Sequence, residues 1–440
     1  MEFTNLFAAR TQMAFTLGWH IVVACLGVGL PVLMLFAEWR CAKTGDRLWQ
    51  IIAMRWSKAF AVLFAAGAVS GTVLSFELGL LWPAFMQTFG PVIGLAFTME
   101  GFFFFFEAIF VGIYIYTWDK FPARTHFLCG FPIAISGLMS AWSVVTANAW
   151  MNTPRGFRLV DQTVVEVDPV AAMFNPATWA QTIHMIIAAY MVTGFLVASF
   201  YALERLRGAN TLYNRRAMTL GLVLGVCFAP VQVFVGDWAA KMVAETQPIK
   251  LAAMEGQFET QRGAPIRIGG WPDVENRKTP YAIEIPYLLS MMAYGDPDAE
   301  VKGLEEFPET EWPPIPVVHI AFQLMVGIGT GLIGLAVWTA WSCCRHRKLP
   351  GSKLYLYAVV SSGPLSVLAL EAGWVVTEVG RQPWIVNGYM RTEDAVSQAP
   401  GMAWLFLITL GIYCMLTVGV FSVLRILARQ PLPEGFDHGA

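Results

Sequence analysis

Nine apolar stretches run along the chain, at about residues 13–37, 59–82, 92–117, 127–150, 180–203, 217–239, 316–342, 354–377 and 402–427, with polar residues gathered between them. Each matches the roughly 20 apolar residues that a helix needs to cross the hydrocarbon core. The pattern predicts an all-α integral membrane protein with about nine transmembrane helices. One connection breaks the rhythm. Residues 240–315 are polar, rich in Pro and Gly, and carry many of the acidic residues. Connections beyond about 12–15 residues are usually functional or disordered. Here Phe258, Trp271 and Tyr287 stand among the charges and favour an ordered, functional loop. The chain therefore divides into helices 1–6 (1–239), a long loop (240–315) and helices 7–9 (316–440).

Basic residues orient the helices, because short cytoplasmic connections carry the excess of Lys and Arg. Connection 1–2 holds Arg40, Lys43, Arg47, Arg55 and Lys58, connection 5–6 holds Arg205, Arg207, Arg215 and Arg216, and connection 7–8 holds Arg345, Arg347, Lys348 and Lys353. These predict an external N-terminus, a cytoplasmic C-terminus and an external long loop. Composition agrees with a lipid solvent: 56% of residues are hydrophobic and 14% charged, against about 25% charged in soluble domains. A formal net charge of -2 with no basic domain argues against a nucleic-acid partner. The seven cysteines fall in apolar segments or predicted cytoplasmic connections, so no external disulfide is expected. No C-x-x-C-H occurs, which excludes covalent haem c, and the first apolar stretch reads as a full span rather than a removable signal peptide.

Ionisable residues at membrane depth are costly and by default functional. They are His20, Glu77, Glu100, Glu107, His184, Glu371 and Glu378, with almost no intramembrane Lys or Arg to neutralise them. Two histidines and several carboxylates point to metal ligands or proton carriers. Imidazole, thioether and carboxylate can all serve haem iron, although a lone helix histidine is more often a hydrogen-bonded interior residue. Glu100 and Glu107 lie two turns apart on one helix face, as a proton ladder requires. The run Phe102 to Phe106 between them could pack on a porphyrin, but reads more readily as lipid-facing bulk. Glu371, Trp374 and Glu378 form one stripe, followed by Arg381, which could pair with a carboxylate, hold a haem propionate or anchor the helix at the interface. Met325 precedes glycines that admit close approach, yet in a chain with 20 methionines packing is the plainer reading.

Several classes drop out. There is no G-x-x-x-x-G-K-[ST] for ATP-driven transport. A haem–copper oxidase needs about six ligand histidines within its helices, whereas the six here include His346 and His438, placed in a loop and a tail. The paired histidines of a bc-type cytochrome b are absent. A secondary transporter remains as the alternative, although no internal repeat supports it.

Six segments together resemble subunit I of the cytochrome bd-type quinol oxidases over nearly the whole chain: RTQMAFTLGWH ending at His20, MEG around Glu100, ANAWM from Ala147, KLAAME from Lys250 to Glu255, MVGIG from Met325, and GRQPW around Arg381. The resemblance implies a terminal respiratory oxidase in the bacterial plasma (inner) membrane. Such an enzyme oxidises quinol at the outer face and reduces dioxygen to water with cytoplasmic protons, building a gradient without pumping. It implies two haems b, one low-spin and one high-spin, and one haem d, with a third haem b as the variant form. By the same resemblance His184 and Met325 ligate the low-spin haem, and His20 and Glu378 the high-spin pair. Glu100 lies near the oxygen-binding iron, Glu107 and Ser140 mark the proton route, Lys250 and Glu255 serve quinol in the Q-loop, and Trp374 and Arg381 border haem. The implied partners are a multi-span subunit II, with or without a small single-span subunit. Two features depart from the common pattern: Gln323 stands where an arginine is usual, and the Q-loop is of the short form.

Overall fold

The computed structural model describes residues 4–161 and 163–432. His438 lies outside the described residues. Among those described, nine helices are long and apolar enough to cross a membrane. They are span 1 (Asn5–Thr44), span 2 (Arg47–Leu81), span 3 (Pro83–Tyr116), span 4 (Ala123–Asn152), span 5 (Thr178–Leu206), span 6 (Leu212–Thr246), span 7 (Ile315–His346), span 8 (Lys353–Val379) and span 9 (Met402–Ala428).

The helices exceed the apolar stretches at most ends, because polar capping residues extend them. Thr4, Asp46, Thr211 and Ser352 each accept a backbone N–H in the first turn of a span. Two expectations change accordingly. Span 6 continues to Thr246, so the long connection begins seven residues later than residue 240. His346, expected in a loop, is the last residue of span 7.

Small residues set the closest helix approach. A Cβ on Gly194 of span 5 would come within 2.3 Å of the Gly225 amide nitrogen of span 6, so any larger residue would force these backbones apart. Spans 5, 6, 7 and 8 form a closed ring in which each packs on the next, leaving spans 5 and 7 on opposite sides.

Hydrogen bonds identify the two ends of the bundle. At one end Asn5 Nδ2 donates to the Ser397 carbonyl, and the Ser397 amide donates to the Leu81 carbonyl. The long connection closes over this end, called the loop end below. At the opposite end Arg216 pairs with Asp46 at 2.5 Å. There Tyr114 donates to Glu38 Oε2 at 2.8 Å, while His126 Nδ1 meets Glu38 Oε1 at 2.8 Å, tying spans 1, 3 and 4 together.

The long connection is built, not loose. It holds a helix Pro248–Glu255, an antiparallel hairpin of Ile266–Gly269 with Ala282–Ile285, a helix Leu288–Tyr294, and a short pairing of Gln261–Arg262 with Glu300–Val301. Leu251, Ala264, Leu289, Ala293 and Val301 give it a small core of its own.

Candidate functional site

His20 directs Nδ1 at Ser70 Oγ of span 2, 2.8 Å away. Ser70 donates its own proton to the Ala66 carbonyl at 2.9 Å, so its oxygen accepts from Nδ1–H. That tautomer leaves the lone pair on Nε2, the form in which imidazole binds a metal. The ring lies against Gly71, where a Cβ would come within 3.2 Å of Cε1. Glu371 of span 8 approaches span 1 at Gly18, and its Oε1 is buried without a hydrogen-bond partner. Trp374, one turn on, packs beside the cluster containing Ile21, Cys25 and Leu370.

His184 and Met325 come from opposite walls of the ring of spans 5 to 8. Each meets a glycine on an adjoining wall. A Cβ on Gly236 of span 6 would lie 3.5 Å from His184 Cε1, and one on Gly373 of span 8 would lie 3.0 Å from Met325 Sδ. At 1.5 Å per residue the two side chains sit roughly 10–15 Å below the loop end of their helices. Gln232 Nε2 approaches the two ring nitrogens of His184 at 3.3 and 3.2 Å.

Glu378 ends span 8 in a dense polar network. Arg381 Nη2 donates to its Oε2 at 2.6 Å, and Asn148 Nδ2 of span 4 donates to its Oε1. Of the roles open to Arg381, pairing with the carboxylate is therefore realised. Its Nε and Nη1 remain buried with no partner. Lys250, from the loop helix, packs its stem on Gly380 and donates from Nζ to Asn152 Oδ1 at 2.6 Å. Asn152 Nδ2 in turn donates to the Asn148 carbonyl at 3.0 Å and reaches the Asn148 side-chain Oδ1 at 3.4 Å. A chain of hydrogen bonds thus joins Lys250 to Glu378. Burial, reinforced by the nearby Arg381 charge, pulls the Lys250 ammonium down to about 7. Glu255, at the other end of the same loop helix, is pushed up to about 7 by burial, against the lowering effect of the Arg267 amide and charge. Its Oε2 has no partner.

Span 3 differs. Glu107 is buried against Gly137 of span 4, whose Cβ would lie 3.2 Å from Oε1, and Ser140 stands one turn further along span 4. Glu100 is half-buried two turns away. Phe102, Phe105 and Phe106 are exposed on the bundle surface, whereas Phe104 stacks on Phe64 of span 2.

The family model for cytochrome bd terminal oxidase subunit I matches residues 8–432. The chain belongs to this family. The bd oxidase structure from Geobacillus thermodenitrificans superposes with a TM-score of 0.92 at 39% identity, covering 97% of this chain and 99% of that one. A Bacillus subtilis (strain 168) protein, whose name assigns it as subunit I of a cytochrome bd menaquinol oxidase, is 37% identical over 98% of this chain and 99% of its own length. Subunit 1 of a cytochrome bd ubiquinol oxidase from the same strain is 30% identical over 99% of this chain and 95% of its own. This cytochrome bd subunit I is thus part of a quinol:oxygen oxidoreductase, a terminal oxidase that carries haem and works with a subunit II.

Its residues fit that cofactor. An imidazole whose Nδ1 is taken by Ser70, a second imidazole and a thioether carried by spans 5 and 7 of one helix ring, and a buried arginine with two unpartnered donors make a donor set suited to iron and to propionate. Sequence reasoning weighed ionisable residues and so missed the neutral ones that hold them: Ser70, Asn148, Asn152 and Gln232. Their signal was present as i, i+4 spacing, since Asn148 and Asn152 share a face of span 4.

Proposed function

We propose that this subunit oxidises quinol at the loop end, taken as the outer face, and feeds cytoplasmic protons to the oxygen site along span 3. The observation that carries the reading is the Lys250–Asn152–Asn148–Glu378 network, which joins the loop to the end of span 8 by continuous hydrogen bonds. His184 and Met325 would ligate low-spin haem b, and His20 and Glu378 the high-spin haems. Of these, one is b and the other d, with a third haem b as the alternative. Bound there, haem supplies the single-electron relay and the iron at which dioxygen is reduced.

The chain's own residues do the rest. Glu255, ionised above about pH 7, accepts a quinol hydroxyl proton and releases it outside. Lys250, bonded through Nζ to Asn152, holds the other end of the headgroup, its charge weakened first by burial and then by Arg381. Arg381, paired with Glu378, keeps two unpartnered donors that would hold a haem propionate, and Trp374 would border the haem. Glu107, packed on Gly137 of span 4 one turn from Ser140, passes protons towards Glu100, two turns along the same helix. Charge crosses the membrane because protons leave on one side and are taken up on the other. The Lys and Arg gathered in the connections opposite the loop end support a cytoplasmic position for that end. On this reading the protein is a multi-pass component of the bacterial plasma membrane, divided into helices 1–6, the Q-loop and helices 7–9. A small single-span subunit would sit beside subunit II, and the relatives' names leave both menaquinol and ubiquinol in play.

The test is a dithionite-reduced minus oxidised spectrum of the oxidase, with haem extraction, in the native protein and in Met325→Leu. The native protein should show b-haem bands with a red-shifted chlorin band, and the variant should lose the low-spin b signature while still binding dioxygen. An unchanged low-spin signature in Met325→Leu would sink the ligand assignment.

A further inference from the structure

Span 7 grips the loop through two side chains one turn apart. Gln323 Oε1 accepts the Gly269 amide N–H at 3.0 Å, and Gln323 Nε2 donates to the Arg267 carbonyl at 2.8 Å. The side-chain amide therefore pairs with residues 267 and 269 as an adjoining strand would. One turn nearer the loop, His319 is fully buried, with Nδ1 2.8 Å from the Met254 carbonyl and Nε2 3.0 Å from the Gly269 carbonyl.

These contacts converge on Glu255. The Met254 carbonyl, next to Glu255, meets His319 Nδ1, and the nearby Arg267 backbone and charge hold the Glu255 carboxyl down against the rise that burial gives it, while the Arg267 carbonyl accepts from Gln323. Arg267 thus links the surroundings of the loop carboxylate to span 7. The turn after Glu255 is equally fixed. Gly256 sits at φ 61 with its carbonyl accepting from Thr279 Oγ1 at 2.8 Å, and a Cβ there would come within 2.6 Å of that oxygen. Two residues beyond Gln323, span 7 presents Met325 to Gly373.

We propose that Gln323 is a positioning residue for quinol oxidation: through the Arg267 peptide it latches the Glu255 face of the Q-loop onto the turn of span 7 that carries Met325. The proposal rests on the reading of Glu255 as a quinol-site residue. Losing the latch frees strand 266–269 from span 7 without removing any group that touches quinol or haem.

The experiment uses the complete oxidase in membranes. Gln323→Met keeps the side-chain volume and removes both hydrogen bonds, whereas Gln323→Glu keeps the acceptor for Gly269 and loses the donor to Arg267. Three readouts are taken: tryptic cleavage at the exposed Arg277 and Lys278 between the hairpin strands, KM and kcat for a short-chain quinol, and the low-spin haem spectrum. Gln323→Met should be cleaved faster and show KM raised roughly fivefold, about the worth of one net hydrogen bond, with kcat and spectrum unchanged. Gln323→Glu should recover part of both effects. Unchanged cleavage in Gln323→Met overturns the latch, and a shifted low-spin spectrum overturns the route through Glu255 in favour of an effect on Met325. If cleavage is faster but KM unchanged, Glu255→Gln decides. A raised KM in Glu255→Gln then overturns the positioning role, and an unchanged one overturns the quinol assignment of Glu255 and leaves the latch standing.

Discussion

At the loop end Glu378 is held by Asn148 and Arg381, and Lys250 is held by Asn152, whereas Glu107 and Glu100 on span 3 have no hydrogen bond to any described residue. Both regions bury carboxylates in a bundle made mostly of apolar side chains. The difference lies in what the carboxylate is for. A group that fixes a charge beside a ligand is stabilised by neighbours that do not move, since a buried charge without a partner is costly. A group that must gain and lose a proton gains nothing from a permanent partner favouring one of its two states. The held region also connects outward, to the loop, while Glu107 of span 3 packs on Gly137 of span 4.

If the comparison is right, the largest effect of a single substitution on turnover lies in the unpartnered region. Glu107→Gln should cut oxygen consumption by on the order of 10²-fold, the contribution of a positioned proton-transfer group, and leave the haem spectrum intact. Oxygen-electrode rates set against the spectrum check it, and near-native turnover would remove Glu107 from the route. In the held region the cost should appear as stability. Arg381→Leu strips Glu378 of its charged partner and should destabilise the protein by about 3 kcal/mol, at the low end for a broken buried pair because Glu378 is partly exposed. Thermal unfolding followed at the haem bands measures it. A smaller effect concerns pH at the loop. Glu255 becomes ionised as pH rises through about 7, and Lys250 loses its charge over the same range. Quinol kcat/KM should therefore peak near 7, with the acid limb belonging to Glu255. In Glu255→Gln that limb should vanish and the alkaline limb, from Lys250, should stay. An acid limb that survives the substitution assigns it to another group.

The spans were legible in the sequence because a membrane allows few solutions: backbone groups must be satisfied within each segment, so apolar length alone reads as helix. The carboxylates and histidines were legible for the same reason of cost. The Q-loop was not, beyond its being ordered, because its hairpin packs on span 7 through contacts far away in sequence, such as Gln323 to Arg267 and Gly269. Nor were the partners of the chemical groups. Ser70 fixes the His20 tautomer and Asn152 fixes Lys250, yet serine and asparagine in a helix carry no large transfer penalty to draw the eye. Helix starts moved outward where a polar cap stood before the first apolar residue, by about five residues after Thr211 and by one after Ser352.

The central claim is that quinol protons leave at the loop end while protons for water enter along span 3. The most direct measurement is proton movement in sealed proteoliposomes containing the oxidase with its loop end outward, driven by quinol and followed by pH indicators on both sides. The account predicts that acid appears outside in step with the electrons delivered and that the lumen turns alkaline to match, both slowing together in Glu107→Gln while haem reduction by quinol keeps its rate. Proton release and uptake on the same side of the membrane, or lumenal uptake untouched by Glu107→Gln, would contradict it.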